Sequence, residues 1–230
     1  HPAGYTNGHS RDRQGRLVSC EHGGRRISRT DHDGTIVTLA DNYQGKKFNS
    51  PNDLVVKSDD SIWFTDPPYG ILTDKEGHQA ESELDGNYVF RLDPASNELE
   101  IVGDDFDRPN GICFSPDESV MYIADTGEPG HIRAFDVIDG RRLANSRVFA
   151  VVRPGLADGF RVDTNGNLFT SARDGIQVYS PEAELLGKIL VPERATANCV
   201  FGGPGKNRLY ITASKSLYSV ELNATGAQTP

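Results

Sequence analysis

Five polar residues recur in one register along this chain of 230 residues: Asn7, Asn52, Asn110, Asp158 and Asn198. Each opens a similar copy: NGHSRDRQGRLVSC, NDLVVKSDDSIWFTD, NGICFSPDESVMYIAD, DGFRVDTNGNLFTSA and NCVFGGPGKNRLYITA. Amide and carboxylate oxygens that converge from distant points in a chain are what a hard cation requires. Calcium in particular accepts carbonyl oxygens and carboxylates together at about 2.3–2.6 Å. The set lacks a His or Cys cluster, which disfavours zinc. Asn52, Asn110 and Asp158 are the expected ligands. Asn or Asp before Gly is also an ordinary turn signal, but four Asn and one Asp in a single register is a stronger pattern than turns alone produce.

The elements that would position these residues follow from the spacing. Successive copies start 45, 58, 48 and 40 residues apart, the length of a propeller blade of several short strands and not of a helical or leucine-rich repeat. In such a blade the innermost strand lines the central channel, so the opening residues form a ring at one mouth. Neighbouring strands are antiparallel, so the end of each second strand returns there. That places His22, Asp66 with Tyr69, Asp125 with Thr126, Arg173 with Asp174, and Ser214 beside the ring. His9 stands two residues after Asn7 on the same strand face and is a candidate substrate contact. His32 and His78 read as solvated loop residues.

The class is all-β, a β-propeller with about five blades present. The first blade is expected to hold strands at 7–12, 16–21, 25–30 and 35–40. The third has strands near 112–114, 120–124, 131–136 and 147–151, and the fourth near 160–162, 167–171, 175–179 and 187–191. The fifth offers three, near 199–201, 208–213 and 217–222, before the chain turns polar. In the second blade a long polar excursion, residues 67–85, separates strands two and three; loops of that length are functional or disordered. No stretch of ten residues carries a helical apolar period; residues 141–150 come nearest and sit where strands are expected. Asp163-Thr164-Asn165-Gly166-Asn167 imitates a calcium loop, but Leu168 stands where glycine is required, so it reads as a hairpin turn.

Composition bounds the function. A chain with 36% hydrophobic residues can bury a sizeable core, and no linker divides it, which leads us to expect one domain over residues 1–230. A net charge of −9 argues against nucleic acid or an anionic membrane surface as a partner. No run of about 18 apolar residues spans a bilayer. Cys20, Cys113 and Cys199 all fall in strand patterns and read as buried thiols acting as small hydrophobes. Catalytic elbows, His-Glu-x-x-His and phosphate loops are missing from the sequence. It begins His1-Pro2-Ala3-Gly4, without Met, and the expectation is that a first-blade segment is missing upstream.

The runs NGHSRDRQGRLVSCEHG, KKFNSPNDLVVKSDDSIWFTDPPYGI, RPNGICFSPDE, DGFRVD and NCVFGGP resemble the bacterial gluconolactonases of the senescence-marker-protein, regucalcin and gluconolactonase family. The resemblance covers the chain from about residue 7 to residue 222 and implies a six-bladed propeller with one divalent cation, Ca2+ first among the candidates. It also implies a hydrolase that opens a small sugar lactone. By motif, Asn110 and Asp158 match the family's metal-binding Asn and Asp, and Asn52 matches a further Asn that touches metal or substrate. The family's first-blade Glu has no counterpart here, which implies weaker metal binding and an inactive chain as it stands. The family arginine two positions before the further Asn is Ser50, so sugar recognition needs other groups. Asp158 is then the expected base, and Asn52 and Tyr69 the expected sugar contacts. Two other readings stay open: a non-catalytic binding platform, and an ester or phosphotriester hydrolase of similar architecture.

Overall fold

Strand formation in this chain follows from short runs of β-branched and aromatic residues punctuated by Asx turns. The computed structural model describes residues 3–228 and divides into two compact units, one up to Asn110 and one from Gly111 onward. The first sheet runs β1 (Thr6–Arg11), β2 (Leu17–Glu21), β3 (Arg26–Thr30) and β4 (Ile36–Ala40), paired antiparallel in chain order. A small hairpin, β5 (Asn42–Tyr43) and β6 (Lys46–Lys47), follows; it turns through Gln44 and Gly45, both at positive φ. Sequence pattern does not reveal it, because a two-residue strand leaves no periodicity to read. The second sheet holds β7 (Leu54–Val56), β8 (Ile62–Asp66), β9 (Asn87–Asp93) and β10 (Glu98–Phe106).

The third sheet holds β11 (Pro109–Phe114), β12 (Val120–Asp125), β13 (His131–Ile138) and β14 (Arg142–Ala150). The stretch nearest to a helical period is thus strand. The fourth holds β15 (Phe160–Val162), β16 (Leu168–Ala172), β17 (Gly175–Tyr179) and β18 (Leu185–Leu190). The fifth has three strands, β19 (Thr196–Gly202), β20 (Arg208–Ala213) and β21 (Leu217–Glu221). Five meander sheets of this kind are the blades of a β-propeller, an all-β fold. No helix among the described residues is long and apolar enough to cross a membrane.

Inner hairpins close through one device. Asp12 Oδ1 accepts the backbone N–H groups of Gln14 and Arg16 at 3.1 and 2.8 Å, and Asp163 Oδ1 those of Asn165 and Asn167 at 2.9 Å each. The calcium-loop imitation at 163–167 is therefore a turn whose carboxylate is spent on its own backbone. The polar tail does not simply run off: Thr164 N–H donates to Thr225 O and Ala227 N–H to Val162 O, docking it along the β15–β16 turn.

Apolar layers between sheets hold each unit together. In the first unit Phe48, Phe64 and Phe90 meet with ring centroids 5.2–5.3 Å apart, packed with Val18, Cys20, Ile27 and Leu54. In the second, one layer is built around Phe160, Leu168, Tyr122 and Cys113, and another around Phe169, Ile176, Leu209 and Cys199. Each layer contains one buried cysteine outside any disulfide. Burial pushes the Cys20 thiol well up and the Cys199 thiol to about 12, so both behave as apolar filler.

Residues 67–86 hold a difference from expectation. A single helical turn, α1 (Tyr69–Leu72), lies in this excursion, which sequence periodicity could not reveal in four residues. Its Gly70 is pressed so close that a Cβ there would stand 2.6 Å from the His22 Cβ and 2.8 Å from the Ser50 Cβ. Gly70 N–H donates to Ser50 Oγ at 2.8 Å, and Ser50 Oγ–H donates to Pro67 O at 2.5 Å. The excursion is an ordered cover seated on the end of β2 and on the segment before Asn52.

Candidate functional site

In the first unit the copies meet side chain to side chain. Asn7 Nδ2 donates to Asn52 Oδ1 at 2.9 Å, and Asn52 Nδ2 donates to Asn110 Oδ1 at 2.7 Å. Three opening residues separated by 45 and 58 positions therefore form one chain of amides. The backbone brings them together: Gly8 N–H donates to Asn52 O at 2.7 Å, and Thr65 Oγ1 donates to Asn110 O at 2.8 Å. Gly8 lies in β1 and not in a turn; a Cβ on it would fall 2.5 Å from Asn52 O. Close approach explains that glycine, and it leaves the Asn before it as a chosen side chain.

His22 joins this chain. It is 2% exposed, with Nε2 3.3 Å from Asn7 Nδ2 and 3.1 Å from Asn52 Oδ1, and Nδ1 3.0 Å from Glu76 O. Burial lowers its pKa against the opposing effect of these hydrogen bonds, favouring the neutral ring. Antiparallel pairing of the first two strands places His22 beside the ring, but nothing in its sequence context shows that it meets both Asn7 and Asn52.

Asp66 takes a different place from the one its position in the copy suggests. Its side chain is fully buried and turned to the backbone, accepting the N–H groups of Asn49 and Ser50 at 2.8 Å each. It anchors the residues leading into Pro51 and Asn52. Desolvation pushes its pKa up to about 7, against those two hydrogen bonds and the nearby Arg25 charge.

Tyr69 opens α1 and is half-buried. His9 lies on the exposed face of β1 with Asn7 and Arg11, its Nδ1 2.9 Å from Ser19 Oγ. Desolvation lowers its pKa while Asp53 raises it. His32 and His78 are exposed, as expected, although His78 lies edge-on to Tyr5 at 5.2 Å.

Asp158 stands in the second unit, half-buried, immediately before β15. Its backbone N–H donates to Ser171 Oγ at 2.9 Å. A Cβ on Gly111 would fall 2.0 Å from Asp158 O, so the two copies pack backbone to backbone there. Asn198 spends its Oδ1 on the N–H of Cys199 at 2.8 Å.

The donor set can be weighed against a cation. Among the described residues no three His, Cys, Asp or Glu side chains come together, so a cation would rest on amide oxygens as well as carboxylate. Asn110 and Asp158 carry oxygens of that hard type. Asn52 turns its oxygen to Asn7 and His22 and meets Asn110 through nitrogen, an orientation that suits holding Asn110.

Comparison with known proteins comes to the same region of sequence. A family model described as the SMP-30/gluconolactonase/LRE-like region matches residues 2–215. A gluconolactonase of Zymomonas mobilis is 36% identical over 198 residues, covering 82% of this chain and 54% of the relative. A gluconolactonase structure from Xanthomonas campestris superposes with a TM-score of 0.91 at 43% identity, covering 95% of this chain and 72% of that one. A calcium-binding regucalcin of Agrobacterium tumefaciens, 18% identical with a TM-score of 0.76 over 97% of this chain and 77% of its own, shares the fold. The chain spans about half the length of the curated relatives it matches.

Proposed function

We propose, from the premise that this chain belongs to the SMP-30/gluconolactonase/LRE-like family, that its protein is a hydrolase that opens sugar lactones. The observation that carries this reading is the amide chain Asn7–Asn52–Asn110, exposed at Asn7 and buried at Asn52 and Asn110, which spends side chains from three copies on one another at the openings of the inner strands. Structural packing alone asks for the glycines there and not for the amides.

In this reading Asp158 takes a proton from water as the water oxygen bonds to the lactone carbonyl carbon. The ring C–O bond then breaks, the ring oxygen leaves as an alcohol with a returned proton, and a hydroxy acid is released. Asn52 and Tyr69 hold sugar hydroxyls, with His9 a further contact. A divalent cation, Ca2+ first, held by Asn110 and Asp158 as the resemblance implies, would supply Lewis acidity at the carbonyl.

A substrate panel tests the reading. Full-length protein is assayed on an aldonolactone, an aryl acetate and a phosphotriester, alongside Asp158→Ala. We expect the aldonolactone to be preferred and Asp158→Ala to lose about 10²–10⁴-fold in kcat. Preference for either ester, or an unimpaired variant, contradicts the assignment.

A further inference from the structure

We propose, resting on the lactonase reading, that Arg173 is a specificity-determining residue: its guanidinium takes an anionic group at the end of the lactone away from the carbonyl. Aldonolactones bearing a carboxylate or phosphate are thereby selected over neutral ones. Strand pairing puts Arg173 beside the expected base. β15 and β16 pair Phe160 with Thr170, and Ser171 N–H donates to Gly159 O at 3.0 Å, so the ladder runs on past the start of β15. Ser171 Oγ accepts the Asp158 N–H at 2.9 Å. In this register Ala172 stands opposite Asp158, and Arg173 is the next residue. A strand rises about 3.3 Å per residue and its neighbour lies about 4.8 Å away, so a lactone attacked at Asp158 has its far end within reach of this side chain.

The surroundings hold this guanidinium in place without consuming it. Arg173 is exposed, and among the described residues its side chain has no ion pair or hydrogen bond. Asp174, the acid next to it, is taken by other groups: Lys188 Nζ donates to its Oδ2 at 2.8 Å, and the buried Gln177 Nε2 to its Oδ1 at 3.2 Å. Gln177 Nε2 also donates to Arg153 O at 2.8 Å. Arg153 in turn spends Nη1 on Val152 O at 2.7 Å and on Gly130 O and Gly155 O at 3.3 Å each. These bonds fix the turn on which Arg173 rests. Its N–H donates to Pro154 O at 3.0 Å, and a Cβ on Gly155 would stand 2.7 Å from its own Cβ. A guanidinium so seated offers forked donors to a carboxylate or a phosphate. Charge permits the approach: residues 111–230 hold twelve basic and thirteen acidic side chains, against twelve and twenty up to Asn110, so the net charge of −9 lies almost wholly in the first unit.

The test compares kcat/KM of the full-length protein on three lactones: a neutral hexonolactone, its 6-phosphate, and an aldarolactone that carries a free carboxylate at the far end. Arg173→Gln and Arg173→Lys are measured beside the wild type. We expect the wild type to favour the anionic lactones by about 10–100-fold, the range of a charge-assisted hydrogen bond, and Arg173→Gln to bring that ratio down to about one. Arg173→Lys, which keeps the charge and loses the fork, should fall between them. A preference for only one of the two anions names the substituent and upholds the site if Arg173→Gln abolishes it. No preference in the wild type, or one that survives in Arg173→Gln, would overturn the proposal.

Binding of the open-chain acids, an aldonate and the matching aldarate, is measured by calorimetry on the same proteins. The aldarate should bind the wild type more tightly than the aldonate does, and the two should bind Arg173→Gln alike. If the wild type opens no lactone at all, the functional reading fails by itself, and this comparison still decides the role of Arg173: equal binding of the two acids by the wild type overturns it.

Discussion

At the scale of single residues, the roles divide between groups that face one another and groups that hold them. Asn52 is 3% exposed and bridges two other amides, whereas Asp66 is fully buried and serves the backbone two and three residues ahead of Asn52. Asp66 has a measurable signature. An unfolded carboxylate titrates near 3.8 and this one near 7 when folded, so between those values the folded protein keeps a proton that the unfolded chain has lost. Stability contributed by Asp66 is therefore present at low pH and declines as pH rises through that window. Melting temperatures from pH 5 to pH 8 should fall more for the wild type than for Asp66→Asn; parallel profiles would contradict the raised value. Sequence showed the polar register and could not show which members turn inward, because a copy fixes where a residue starts and not which lone pair it spends.

At the scale of elements, the strands and the limits of the excursion are legible in the sequence, and the helical turn inside it is not. Runs such as Ile62–Asp66, buried throughout, alternate with Asx turns, and those signals are local. The α1 turn depends on tertiary seating against His22 and Ser50, which no window of four residues encodes. Blade junctions depend on glycines for contact and not for turning. Gly111→Ala should therefore cost about 1–3 kcal/mol, the range for overpacking, because its Cβ would meet Asp158 O at 2.0 Å. A denaturant series reads this as a lowered midpoint with an unchanged slope. An unchanged midpoint would mean that the two strands part freely there.

At the scale of the whole molecule, the family and the propeller were readable because both live in repeats: the spacing of the copies gives the blades, and the long motifs give the family. The hinge between sequence and chemistry is the donor set, in which amides outnumber carboxylates. In the proposed reading such a set would favour a cation that tolerates neutral oxygens, and activity would then depend on the ion's availability. The most direct measurement is the initial rate of acid release from an aldonolactone by the full-length protein, taken before chelation, after it, and again with Ca2+ restored. The account predicts turnover that collapses on chelation and returns with the ion. Turnover indifferent to chelation, or no turnover in any of the three states, would contradict it.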